Sequence, residues 1–180
     1  PYNAAVMNLL LPEVHQGMGD FTEQSLRGLV RLATRTAPVA EVGKGSVFAA
    51  VHSSTGGSAD SDSNADYDVE MNGAVAGVRY EVMPGLRLGA MLGYDDGSIE
   101  GSLIDTDGNG MMFGLFGEYV VNPDTGFTVF SSLAYGDYEY DSARRSFGGL
   151  ASANGIGADA FEFAIGVEGV AWQKEDRKSV

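Results

Sequence analysis

From residue 46 onward, apolar and polar positions alternate with a period of two over long runs. Tyr67–Met83 places Ala74, Ala76, Val78, Tyr80 and Val82 on one face, with Gly73, Val75, Gly77, Arg79 and Glu81 on the other. Leu86–Ser98 sets Leu86, Leu88, Ala90, Leu92 and Tyr94 against Arg87, Gly89, Met91 and Gly93. Met111–Val121 sets Met111, Phe113, Leu115, Gly117, Tyr119 and Val121 against Met112, Gly114, Phe116 and Glu118. With further runs at Ser46–Ser54, Phe127–Arg145 and Asp159–Arg177, the pattern predicts about six strands. Soluble strands average ~5–6 residues, whereas strands that cross an outer membrane need ~9–11, and these runs reach the longer length.

Before residue 45 the period is helical. Leu26, Leu29, Val30 and Ala33 share a stripe, Asp20 or Thr22 can cap the helix after Gly17 and Gly19, and Arg27, Arg31 and Arg35 lie toward its end. An apolar stretch at 4–14, interrupted at Pro12, precedes it, and Thr36–Lys44 reads as a connector. The organisation expected is a helical linker segment at 1–44 and a β portion of about six strands at 45–180. Tight turns at Pro84-Gly85 and at 122–126 alternate with longer polar loops at 55–66, 95–110 and 146–158. Short turns on one rim and long loops on the other is the arrangement of outer-membrane barrels.

The expected fold class is therefore all-β: an antiparallel up-and-down barrel, or part of one, with a short N-terminal α-helical segment. Gly73, Gly77, Gly89, Gly93, Gly114 and Gly166 fall on the same face as Arg79, Glu81, Arg87, Glu118, Glu162 and Glu168. Small and charged residues together suit a narrow polar lumen, so those six charged residues are expected to face it. The opposite face, rich in leucine, valine and phenylalanine, suits lipid. Tyr80, Tyr94, Tyr119 and Trp172 lie toward expected strand ends, where an aromatic girdle belongs. A soluble barrel with its apolar face inward, acting as a binding module, is the alternative on pattern alone.

Composition narrows the chemistry. The chain has 180 residues, 11 Lys+Arg against 25 Asp+Glu, and a net charge of −14, which argues against nucleic acid as a partner. The absence of cysteine removes thiolate nucleophiles, thiolate metal sites and disulfides. No apolar run is long enough for a transmembrane helix. Pro1-Tyr2-Asn3 shows no basic or apolar leader, so any signal peptide is expected to have been removed. The 26 glycines are about twice the usual ~7%.

The residues resemble the translocator β-domain of bacterial autotransporters (type V secretion). The resemblance rests on an ordered series: a helix leading into a first strand, Asn64-Ala65-Asp66-Tyr67-Asp68, then Leu86-Arg87-Leu88-Gly89-Ala90-Met91-Leu92-Gly93-Tyr94. Asp105-Thr106-Asp107-Gly108, the run Ala134–Asp141 and the pair Arg144-Arg145 follow. It covers roughly residues 20–177. It implies a barrel of about twelve strands, a helix threading the lumen, an exported upstream passenger and the outer membrane as lipid partner. Two departures stand out: about six strands are present, and Lys174–Val180 replaces a terminal amphipathic strand. The expectation is a fragment, or a chain that closes differently or forms a homo-oligomer.

One enzymatic reading competes. Asp124-Thr125-Gly126 is the D-T-G triplet of aspartic peptidases, with Asp105 in a looser echo, and the chemistry needs two carboxylates sharing one proton. A dimer could supply one triplet per subunit. The same residues between two strands are ordinary turn chemistry. Asp105-x-Asp107-x-Asn109-Gly110 opens like a calcium loop, yet Phe116 stands where a bidentate Glu is required. His15 and His52 lack metal-ligand spacing, so neither metal nor cofactor is expected.

Overall fold

The computed structural model describes residues 12–36, 41–58, 67–101, 104–123, 126–146 and 149–168. A helix, α1 (Pro12–Thr36), precedes β1 (Gly45–Ser58), β2 (Tyr67–Met83), β3 (Leu86–Gly101), β4 (Ile104–Asn122), β5 (Phe127–Ser146) and β6 (Gly149–Glu168). The strands form a single antiparallel sheet in sequence order, β1-β2-β3-β4-β5-β6. β1 and β6 do not pair with each other, so the sheet is open: an up-and-down wall consistent with part of a barrel. α1 touches all six strands on one face of this wall.

The helix begins at Pro12, earlier than the expected cap at Asp20 or Thr22. Proline is tolerated in a first turn, where its missing N–H has no intrahelical partner to lose. Gly17 lies inside the helix because the wall comes close: a Cβ there would stand 2.7 Å from Cγ2 of Ile99. Thr22 is no cap either. Its hydroxyl donates to the Met18 carbonyl at 2.8 Å, one turn back. Met18, Phe21, Leu26, Leu29, Val30 and Ala33 are buried against the wall, while Glu23, Arg27, Arg31 and Arg35 form an exposed stripe.

The long loops expected at 95–110 and 146–158 are largely strand. β3 and β4 stay paired from Leu86↔Tyr119 to Glu100↔Asp105. β5 and β6 stay paired out to Ser146↔Gly149, with one register shift between Tyr140 and Ser142. Strand six accordingly starts at Gly149 and not at Asp159; it is described to Glu168, and its expected continuation to Arg177, with Trp172, lies outside the described residues. The reason is in the alternation. Asp96, Glu100, Asp105, Asp107, Asn109, Glu139 and Asp141 are exposed, while Ile99, Thr106, Tyr138 and Tyr140 beneath them are buried. A strand that runs on into water swaps its outward apolar residues for turn-like polar ones without giving up its ladder.

On the outward face the change from apolar to polar falls at one level across the sheet. Val51 pairs with Ala74, Ala74 with Tyr94, and Tyr94 with Met111. On one side of that level lie Asn72, Asp96 and Asn109, and the level itself continues from Met111 through Asp137 and Asp159. On the other lie exposed Val47, Val78, Leu88, Leu92, Phe113, Leu115, Leu133, Phe161, Phe163 and Ile165. From Tyr94 down to Leu86 is roughly 25–30 Å of strand, close to the ~25 Å apolar band of outer-membrane barrels. Tyr94 thus marks this boundary within β3, not the end of the strand.

Candidate functional site

The inner face of the wall holds the helix through polar side chains concentrated at its early turns. Three buried tyrosines reach inward: Tyr67 from β2 and Tyr138 and Tyr140 from β5. The Tyr67 hydroxyl donates to the Asp20 carboxylate. The Tyr140 hydroxyl lies 2.5 Å from that of Thr22 and 3.1 Å from the Met18 carbonyl, and Phe21 packs edge-on against both Tyr138 and Tyr140. Two residues earlier in β5, the Tyr138 hydroxyl stands 3.0 Å from Ser25 Oγ.

Asp95 of β3 is the node of this set. Its carboxylate is fully buried, accepts from Ser25 Oγ on one oxygen and lies 2.8 Å from His52 Nε2 on the other. Gly73 of β2 makes the pocket for it, since a Cβ there would overlap both the Asp95 carboxylate and the His52 ring. A buried carboxylate needs donors on its oxygens, and here they come from the helix and from β1. The order Ser25–Asp95–His52 puts the carboxylate in the middle. No base touches the serine through the imidazole, so the set is built to hold the helix and does not have the geometry of a nucleophilic triad.

At the opposite, tight-turn end the polar contacts run from wall to wall. Arg79 pairs with Glu118, Arg87 Nη1 lies 2.5 Å from Glu118 Oε1, and Arg87 Nε lies 3.3 Å from Glu81 Oε2. The Glu81 carboxylate also accepts the Gly85 amide at 3.2 Å, tying the cluster to the β2–β3 turn. Arg79 and Glu81 are buried, while Arg87 and Glu118 are half-buried. Glu162 and Glu168 stand on β6 along its gap with the helix, Glu162 half-buried and Glu168 exposed at the strand end. The interior between the two polar ends is apolar: Leu26, Leu29, Val30 and Ala33 meet Phe48, Val75, Met91, Met112 and Phe116.

Of the residues named for a peptidase, Asp105 and Gly126 stand at opposite ends of β4. Gly126, with φ +63°, closes the β4–β5 turn, and Asp124 and Thr125 lie outside the described residues. Asp105 sits at the far end of β4, beyond the outward apolar belt and exposed. At ~3.3 Å per residue, the strand carries Asp105 about 55 Å from Asn122 at the other end of β4. Asp105, Asp107 and Asn109 project from one face of a regular strand, a geometry that a curled calcium loop does not have. Among the described residues no group of three or more His, Asp or Glu could hold a metal ion.

A family model described as the autotransporter beta-domain matches residues 47–170. The chain belongs to the autotransporter β-domain family. That membership makes the sheet the wall of an outer-membrane translocator domain and accounts for an apolar face turned outward. No curated protein and no solved structure matches the chain.

The charged residues singled out from the autotransporter β-domain sequence are brought together in part: Arg79, Glu81, Arg87 and Glu118 form one cluster, and Glu162 and Glu168 stand apart from it. The node built on Ser25, His52 and Asp95 was not anticipated. A signal was available, because Asp95 keeps the inward parity of Arg87, Met91 and Gly93, and His52 keeps that of Phe48. The buried tyrosines carried a similar signal, since Tyr138 and Tyr140 alternate with Glu139 and Asp141.

Proposed function

We propose that this domain anchors an upstream passenger in the bacterial outer membrane and carries it toward the cell surface, with α1 lying in the passage that the wall lines. The observation that carries the reading is the pairing of opposite faces: an apolar outward belt beside an inward surface that encloses a helix through buried polar groups. Helix and strands belong to the same chain, so whatever precedes the helix is tethered to the wall. In this reading Arg79, Glu81, Arg87, Glu118, Glu162 and Glu168 face the lumen. The cluster of the first four holds the wall open and wetted at its tight-turn end.

The test is site-directed labelling in cells. Cysteines at 76, 78, 88 and 92 should react with lipid-soluble reagents, and cysteines at 77, 79, 87 and 89 with water-soluble ones. Equal labelling of both sets by one reagent would sink the assignment of faces. For export, the parent protein should lose surface exposure of its passenger when this domain is deleted. Unchanged surface exposure would remove the translocation role.

A further inference from the structure

The outward apolar belt is bulky over β4, β5 and β6, where Phe113, Leu115, Leu133, Phe161 and Phe163 stand exposed. Over β1 and β2 the same levels include Ala49, Ala74 and Ala76, paired as Ala49↔Ala76 and Val51↔Ala74. The difference in size makes a furrow. A hollow of about 490 Å³ lies over these alanines, between Val51 on one bank and Leu92 and Tyr94 on the other. A second, of about 520 Å³, shares Val51, Ala74 and Tyr94 with it and opens over Ser53, Asn72 and Asp96. A third, of about 410 Å³, lies in line toward the tight-turn end, over Gly45, Val47 and Val78. From Val51 back to Gly45 is about 20 Å of strand, more than the ~15 Å that one leaflet contributes to the hydrocarbon. The depression therefore has an apolar limb of leaflet depth and a polar limb, which meet at the level of Tyr94.

We propose that this furrow seats one phospholipid with an ethanolamine headgroup. An acyl chain fills the apolar limb, the phosphate accepts from Tyr94, Ser53 and Asn72, and the ammonium donates to Asp96 and Glu70. The order of side chains up the wall supports this occupant. The first outward row past Tyr94 is Ser53, Asn72 and Asp96, and the next is Thr55, Glu70 and Ser98. Neutral donors come first and carboxylates follow, as phosphate precedes ammonium in the headgroup. Asp68 and Glu100 stand exposed further out, and residues 51–58, 67–73 and 94–101 include no Lys or Arg. A glycerol headgroup would bring a net negative charge against those carboxylates and is disfavoured. The floor strand β2 is paired on both sides, so it offers a polypeptide guest no backbone groups. The inference rests on the outward face meeting lipid and not on transport of a passenger.

The experiment places the intact protein in phosphatidylcholine vesicles and adds spin-labelled phosphatidylethanolamine or phosphatidylglycerol with identical chains. The motionally restricted part of the spectrum reads association with the protein. Ethanolamine should associate about fivefold more strongly than glycerol at low ionic strength, the scale of one exposed charge pair, and salt should narrow the difference. E70Q/D96N should abolish the preference, whereas D159N, on the Tyr94 level but on β6, should leave it. A76F raises the furrow floor and should also remove the preference, by displacing the chain. All four positions are exposed, and heat-modified gel migration checks that each variant folds. Equal association of the two lipids, a preference that E70Q/D96N leaves unchanged, or one that D159N removes equally would overturn the proposal. Lipid-soluble labelling at 78 and 88 tests the faces separately. Labelling kept with the preference absent faults the lipid site alone, and labelling lost faults the assignment of faces and the site with it.

Discussion

The two ends of the trough use polar groups for different purposes. Around Asp95, the wall is bonded to the helix: Tyr67, Tyr138, Tyr140 and Asp95 all reach partners on the early turns of α1. Around Glu118, the wall is bonded to itself, with Arg79, Arg87 and Glu81 crossing between β2, β3 and β4. The later turns of the helix contribute chiefly apolar side chains such as Val30 and Ala33. The helix is therefore pinned directionally at one end and only packed at the other. Apolar packing tolerates sliding by small steps, whereas a buried carboxylate with assigned donors does not.

Asp95→Ala should break this contrast most severely. It leaves Ser25 and His52 without their shared acceptor and should cost about 3 kcal/mol or more in urea unfolding in micelles. Hydrogen exchange across α1 should accelerate with it. Glu118→Ala removes the carboxylate that Arg79 and Arg87 share, although Arg87 keeps Glu81, and should cost about 3 kcal/mol as well, yet exchange at Phe21 and Ser25 should stay close to wild type. Faster exchange there would show that the two ends are coupled. Ser25→Ala removes one donor while His52 remains, so about 1–2 kcal/mol is expected, together with increased protease cleavage within α1. Tyr140→Phe is the mildest change, at about 1 kcal/mol, because Thr22 keeps its bond to the Met18 carbonyl.

The wall was readable from the sequence because each strand repeats one simple rule, and the parity of Tyr67–Met83 or Met111–Val121 fixes both faces at once. The ends of the strands were not, because the outward face carries polar residues once it leaves the apolar belt. Asp105-Thr106-Asp107-Gly108 has the composition of a loop but lies within β4. The helix start was hidden by Gly17, which serves a close approach to Ile99 that no local signal announces. Asp95, His52 and Ser25 come from three elements, and only the strand register brings them to one level. Periodicity shows that a residue faces inward but not what it meets there.

The level change from apolar to polar along Val51, Ala74, Tyr94 and Met111 also constrains pairing in a way that face alternation cannot. A slip of one residue inverts a strand and is excluded by its faces. A slip of two restores them and would pass unnoticed in a soluble sheet. Here it would lower Asp96, Asn109 or Asp137 across the waterline into hydrocarbon, or lift an apolar residue out of it. The membrane boundary thus acts as a ruler laid across the strands, and the bilayer itself proofreads their register.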